Sequence, residues 1–354
     1  MTRPRRLPSA ALAALALAAA PGLAVELTLS PDEPADLSGT TFLAPQTVLD
    51  RDGAHSLRFD GPAAGLPESV SIAGLVQLED GAFLFTVDAP FDDGGTTYLP
   101  RDVIRRSGGT YSLELDGADL GLSAAAHIDA LALLADGRLA VSFDAPETAG
   151  GTTWLPADVA AVDGGALSPL FDAAGAGLGP AANVVGLDRD DSGAFYLAFD
   201  APTDAGGQTF QPDQVARWDG VAWSLWYTGG LTAGTGLSAL SLPGSPGDVS
   251  GLRVAKALGG TLDLSWDPSC STEAADYAIY EGALGGDFAS HAPATCSTGG
   301  ATADSLVPAA GSRYFLTVAL NGTFEGSHGR ASSGAERAQG MGPCRTEQRV
   351  RACP

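Results

Sequence analysis

Apolar and polar side chains alternate along the first two thirds of the chain at the two-residue spacing of half-buried strands. Phe83-Leu84-Phe85-Thr86-Val87 is one such run, followed by an extended stretch Val103-Ile104-Arg105. In a third run Tyr111, Leu113 and Leu115 share one face, and a fourth covers Ile128 to Leu134. The first run returns at Leu139 to Phe143 and at Phe195 to Phe199, a period of 56 residues. Asp88-Ala89-Pro90, Asp144-Ala145-Pro146 and Asp200-Ala201-Pro202 mark it, each followed by a Gly-Gly pair, and Asp32-Glu33-Pro34 is a degenerate earlier copy. A fixed period signals one supersecondary unit whose neighbours bury what it cannot bury alone.

Turn chemistry divides the period. Asp80-Gly81, Asp136-Gly137 and Ser192-Gly193 recur at one point, and Asp52-Gly53, Gly108-Gly109, Asp163-Gly164 and Asp219-Gly220 at another. Such pairs supply the positive φ angles of two-residue hairpins at low steric cost. Each period therefore holds two hairpins and four strands, the content of one propeller blade. The repeats begin on a first-type strand, Leu27-Thr28-Leu29, and stop after a fourth-type strand, Leu237 to Leu242, with no insertion or deletion expected between copies. Elsewhere a fourth-type strand forms a hairpin with the next first-type strand, so the two ends need each other. The expectation is an all-β, four-bladed propeller-like repeat domain over 25–243, closed by its N- and C-terminal strands so that no sheet edge is left open there. Pro169 falls in a third-type strand, which is then the outer edge of a blade, where proline is tolerated.

Residues 1–24 form a signal peptide: Arg3, Arg5 and Arg6 precede an Ala/Leu-rich run and a small-residue cleavage site at Gly22-Leu23-Ala24. That run is too short to span a bilayer, so export without membrane insertion is expected, to the extracellular space or periplasm. Its removal takes the net charge from -23 to -26, with Lys256 the single lysine. A surface this acidic repels nucleic acid and anionic membrane, and is compatible with divalent cations or simply with solubility.

All four cysteines, Cys270, Cys296, Cys344 and Cys353, lie in the last quarter and read as two disulfides in an exported chain. Three pairings are open, and the local one, Cys270–Cys296 with Cys344–Cys353, is expected. Zinc is disfavoured because no Cys-x-x-Cys pair exists and the four histidines are scattered.

A Pro-Gly-Ser-Pro-Gly linker at 244–248 introduces a second pattern over 249–333, and a Cys-containing tail follows over 334–354. Leu252-Arg253-Val254, Leu262-Asp263-Leu264-Ser265-Trp266 and Tyr277-Ala278-Ile279-Tyr280 resemble the first three strands of a fibronectin type III domain. Leu306-Val307-Pro308 with Tyr314-Phe315-Leu316 resembles its leucine-proline-tyrosine corner. The resemblance implies a β-sandwich, a family that normally lacks cysteines. The whole arrangement resembles uncharacterised secreted bacterial proteins, which implies a location and no activity.

Candidate chemistry is sparse. Asp88 and Asp92, Asp144, and Asp200 and Asp204 could hold Ca²⁺ with backbone carbonyls, since that ion takes six to eight oxygens; otherwise the aspartates cap turns. No other cofactor is expected. Asp188-Arg189-Asp190-Asp191-Ser192-Gly193 looks like half a calcium loop but lacks its closing Glu, with Phe199 in that place, and aligns with a hairpin turn. Phe42, Tyr98, Trp154 and Phe210 recur once per copy: facing solvent they could stack on a glycan or protein ligand, and facing inward they pack between blades. Nucleophilic catalysis has no Gly-x-Ser-x-Gly elbow and no recurrent histidine, His55 and His127 lying in unrelated phases. The expectation is a non-enzymatic binding or structural module with an extracellular glycan or protein partner. The alternative is a polysaccharide hydrolase using loop carboxylates.

Overall fold

The computed structural model describes residues 26–51, 53–78, 81–231, 234–286 and 288–350. The signal peptide expected at 1–24, Asp52 and Asp80 of the turn pairs, and Cys353 lie outside the described residues. Four antiparallel sheets of four strands make up the repeat region. Blade 2 runs outward as Ile72–Gln77, Phe83–Val87, Val103–Ser107 and Thr110–Leu115. Blade 3 repeats this with Ile128–Leu133, Leu139–Phe143, Val159–Asp163 and Ala166–Phe171, and blade 4 with Val184–Arg189, Phe195–Phe199, Gln214–Trp218 and Trp223–Thr228.

Blade 1 is assembled from both ends: Leu237–Ser241 is its innermost strand, followed by Glu26–Pro31, Gln46–Arg51 and Ala54–Asp60. Thr28 faces Ser241 and Leu29 faces Leu240 in antiparallel register. The ring is thus closed by its own termini. Pro169 sits on an exposed outer strand opposite Ala160, where its missing N–H costs no ladder bond.

Hydrophobic burial falls into four wedges, one between each pair of neighbouring blades. The innermost strands crowd around the axis, which restricts residue size there. A Cβ on Gly186 would stand 2.9 Å from the Leu240 side chain and 3.0 Å from Ala198 Cβ, so even alanine needs its neighbours to move. The period has one exception. Ile72, Ile128 and Val184 pair with Val87, Phe143 and Phe199, but the closing strand offers Leu237 to Pro31, three residues earlier than the period would place it. A three-residue shortening before the closing strand therefore corrects the expectation of four uninterrupted copies.

The second region is a fibronectin type III-like sandwich. One sheet pairs Leu262–Asp267 with Ser250–Lys256 and Ala303–Leu306, and the other orders Ala292–Thr295, Asp276–Ala283, Arg313–Leu320 and Phe324–Glu325. Leu264, Trp266, Tyr277 and Ile279 form its core. The tail doubles back, and Glu347–Gln348 adds in parallel beside Phe324–Glu325. This brings Cys344 to Cys296, with Cα atoms 5.3 Å apart and the sulfurs bonded. The local pairing is thereby overturned, because the tail returns across the sheet instead of closing on itself. Cys270 is also disulfide-bonded.

The Pro-Gly-rich segment is not a loose spacer. Ser245, Pro246 and Gly247 are buried, and the Ser271 and Ser269 hydroxyls donate to the carbonyls of Ser245 (2.7 Å) and Pro246 (2.6 Å). Phe324 inserts into the wedge between blades 4 and 1, and Thr323 Oγ1 accepts from the Glu26 N–H at 2.9 Å. Asn321 of the Asn-Gly-Thr triplet is itself buried, its amide donating to the Gly244 carbonyl at 2.9 Å.

Candidate functional site

Each innermost strand carries a bulge at its start, where one residue is skipped by the hydrogen-bond ladder. The skipped residues are Ala73, Asp129, Val185 and Ser238. A bulge re-aims its extra side chain, and all four turn onto the ring axis. Above them stand Asp32, Asp88, Asp144 and Asp200, the first residues after the second strand of each blade. The two tiers line one open pit of about 410 Å³ at this end of the axis.

The aspartates span the mouth of each hairpin. Asp88 Oδ1 accepts the Ser71 N–H at 2.6 Å, and Asp32 Oδ1 the Gly236 N–H at 2.9 Å. In blade 3 Asp144 lies 3.5 Å from His127 Nδ1, and in blade 4 Asp200 accepts from Asn183 Nδ2 at 3.3 Å. They therefore tie to the residue just before the adjacent inner strand, through its backbone in blades 1 and 2 and through its side chain in blades 3 and 4, rather than to their own turn. The capping also aims their free oxygens at the axis.

Asp129 differs from the rest. Burial pushes its carboxyl up to about 7; the hydrogen bond from Asn183 Nδ2 (2.8 Å) opposes this, and the charges of Asp144, Asp200 and Asp88 add to it. The same Asn183 amide bridges Asp129 and Asp200, while its Oδ1 is buried with no protein donor. The unfolded chain, with this carboxyl near 3.8, holds fewer protons than the folded one between pH 4 and 7. Stability is thus lost as pH rises through that window and levels off above it. Asp129→Asn should remove this dependence, with a gain on the order of 4 kcal/mol at pH 8 that fades towards pH 4. Urea unfolding of both proteins across pH 4–8 measures it.

The structure unites Asp88, Asp144 and Asp200 at the axis and leaves Asp92 and Asp204 apart. Those two sit on the exposed hairpins Phe91–Asp93/Thr96–Tyr98 and Thr203–Ala205/Gln208–Phe210, accepting from Thr97 and Thr209 hydroxyls. Among the described residues, no three His, Cys, Asp or Glu side chains converge closely enough to hold one metal ion. Phe42, Tyr98, Trp154 and Phe210 are 4, 3, 3 and 1% exposed and belong to the wedge cores. They offer no face to a solvent ligand, since each closes a short hairpin down onto its blade. Asp190 of the acidic turn accepts from Ser192, Ala194 and Tyr196, as a hairpin turn does. Asp129 and Asn183 escaped the sequence because each occurs in a single copy, so the period gives no signal for them.

The other end of the axis is sealed. Arg349 of the tail reaches under the ring, donating to Asp188 Oδ1 at 2.6 Å and to the Pro243 carbonyl at 2.6 Å. With Gln77, Leu133 and Ser241 it leaves a cavity of only about 10 Å³. Burial works against the guanidinium charge, and Asp188, Asp191 and Asp190 outweigh it, so the group stays ionised.

The molecule is thus a four-bladed propeller, open and acidic at one end of its axis, joined to a type III-like sandwich. No protein-family model matches the chain, and no curated protein matches it. Among solved structures it is similar to a protein of unknown function from Bacteroides caccae, 9% identical over 68% of this chain, TM-score 0.26. The chain spans just under two thirds (65%) of that protein. It is similar also to regucalcin, a calcium-binding protein from Agrobacterium tumefaciens (10% identical, 67% of this chain and 68% of that one, TM-score 0.26). A third likeness is to the FN1-FN3 domains of chicken CNTN1 (8% identical, 85% of this chain and 94% of that one, TM-score 0.23). No helix among the described residues is long and apolar enough to cross a membrane.

Proposed function

We propose that the protein is an exported binding module whose axial pit receives a positively charged group, such as a lysine or arginine side chain of a protein ligand. The observation that carries this reading is the convergence of Asp32, Asp88, Asp144, Asp200 and Asp129 on one open pit. Carboxylates gathered in a concave, partly dry site repel one another and are relieved by a cation. The width of the pit favours an organic cation or a hydrated Ca²⁺ over a bare ion held by three ligands. Export is supported by the signal-like first segment and by the Cys296–Cys344 bond, which suits an oxidising compartment.

Titration calorimetry with Nα-acetyl-lysine amide, and separately with Ca²⁺, tests it. Binding that needs ionised Asp129 weakens about tenfold from pH 8 to pH 6 and releases protons. Asp129→Asn should flatten that slope, and Asp88→Asn with Asp200→Asn should abolish binding. No heat with either titrant at pH 8 rejects the reading. One observation favours a second reading: a carboxyl pushed up to about 7 by burial, with other carboxyls around it, has the form of a glycosidase acid–base pair. Turnover of a neutral polysaccharide, lost in Asp129→Asn, would select it.

A further inference from the structure

The seam between blades 1 and 4 holds a second polar constellation, away from the axis. Ser38 occupies the tip of the hairpin Ala35–Leu37/Thr40–Phe42 with φ 53°, a left-handed conformation. The equivalent tips in the other blades have the same conformation, with Gly94 at 56°, Gly150 at 60° and Gly206 at 59°. Three copies use the residue this geometry favours, and the first uses serine against the steric preference. Its Oγ lies 2.9 Å from His55 Nδ1, with the Gly53 carbonyl a weaker partner at 3.4 Å. His55 Nε2 lies 3.6 Å from Asp50 Oδ2, and Asp50 is fixed by the Gly53 N–H at 2.8 Å and the Tyr227 hydroxyl at 2.5 Å.

The histidine side chain is 8% exposed and the aspartate 5%, and His55 Nε2 has no partner within hydrogen-bond distance. The same positions in the other copies are Tyr111, Leu167 and Trp223 for His55, and Arg106, Val162 and Trp218 for Asp50. Elsewhere, then, the seam is aromatic, aliphatic or cationic. Among the described residues of the four seams, only here do a hydroxyl, an imidazole and a carboxylate stand in line, and they border an open pocket of about 470 Å³ walled by Tyr227, Gly229 and Gly230.

We propose that Ser38, His55 and Asp50 form a nucleophilic site that hydrolyses short-chain carboxylic esters of uncharged or cationic alcohols. The Asp50 carboxylate, 3.6 Å from Nε2 and without a hydrogen bond to it, favours the imidazole proton on that side by its charge, leaving the Nδ1 lone pair facing the Ser38 hydroxyl. Ser38 Oγ bonds to the ester carbonyl carbon as its proton passes to His55 Nδ1. The carbon–oxygen bond to the alcohol then breaks, and the alcohol leaves with that proton. Water attacks the acyl-serine and gives a proton to Nδ1; the acid departs and Ser38 regains its hydrogen. Ester and water thus become acid and alcohol with no other reactant. The net charge of -23, with Asp36 at the pocket, disfavours anionic substrates. Ser38 and His55 are the catalytic residues, and Asp50 a positioning residue.

The intact protein is treated with a fluorophosphonate probe, mapped by peptide mass spectrometry, and assayed on p-nitrophenyl acetate. The expected result is one adduct, on Ser38, and turnover that falls about 100-fold or more in Ser38→Gly. That variant restores the residue of the other three blades, so its melting temperature should hold or rise. His55→Gln should lose the adduct too, and Asp50→Asn should lower kcat with KM unchanged. An unlabelled Ser38, or full turnover in a folded Ser38→Gly, overturns the proposal.

Discussion

Deletion of Glu26–Pro31 should unfold the whole repeat ring, not fray one end of it. The strand is hydrogen-bonded on both sides, to Leu237–Ser241 within and to Gln46–Arg51 outside. Leu27 and Leu29 are fully buried in the wedge between blades 4 and 1, each worth about 1.5–3 kcal/mol. Their loss would also orphan the ladder groups of both neighbours and withdraw the N–H that Thr323 accepts. Against a typical total of about 5–15 kcal/mol this leaves no margin. A gentler version, Leu29→Ala, should cost about 2–5 kcal/mol in urea unfolding. A deletion protein that melts cooperatively at the native temperature would refute closure as the source of stability.

The second large effect is expected at the sealed end of the axis. Arg349→Ala leaves Asp188 buried with the Leu242 N–H as a remaining donor at 2.8 Å, and should destabilise by about 3–5 kcal/mol. The guanidinium also covers the Phe324 ring at 5.0 Å, so the sandwich should loosen together with the ring. Pairing Arg349→Met with Asp188→Asn should recover most of the loss, because the penalty comes from the stranded charge and not from missing attraction. The urea midpoints of the three proteins distinguish these outcomes. A single variant as stable as the parent would show that the contact contributes little.

Closure was legible in the sequence because hairpin phase is carried by turn residues, and the phases at Leu27 and Leu237 are complementary. The sandwich was legible through the order of Leu264, Trp266 and Tyr277. The shortening before Leu237 was not, since strand periodicity tolerates a slip that keeps alternation. Asp88, Asp144 and Asp200 stood out by repetition, yet only the ring geometry shows that they meet. Asp92 and Asp204 lie close to them in the chain and point elsewhere. Ser38, His55 and Asp50 are 5 to 17 residues apart and each departs from the repeat, so periodic reading passes over them. The disulfide was misjudged because chain proximity says nothing about a tail that turns back across a sheet.

The bulges have a consequence for how such a ring can change. Ala73, Asp129, Val185 and Ser238 stand outside the strand ladders, so none of their backbones contributes a rung to its sheet. Their side chains nevertheless meet at a single place. Substitution at Ala73, Asp129 or Ser238 can change the lower tier of the pit without touching a wedge core, whereas Val185 also packs between blades 4 and 1. The scaffold thereby gathers at its centre side chains from positions that, Val185 apart, lie outside the wedge cores.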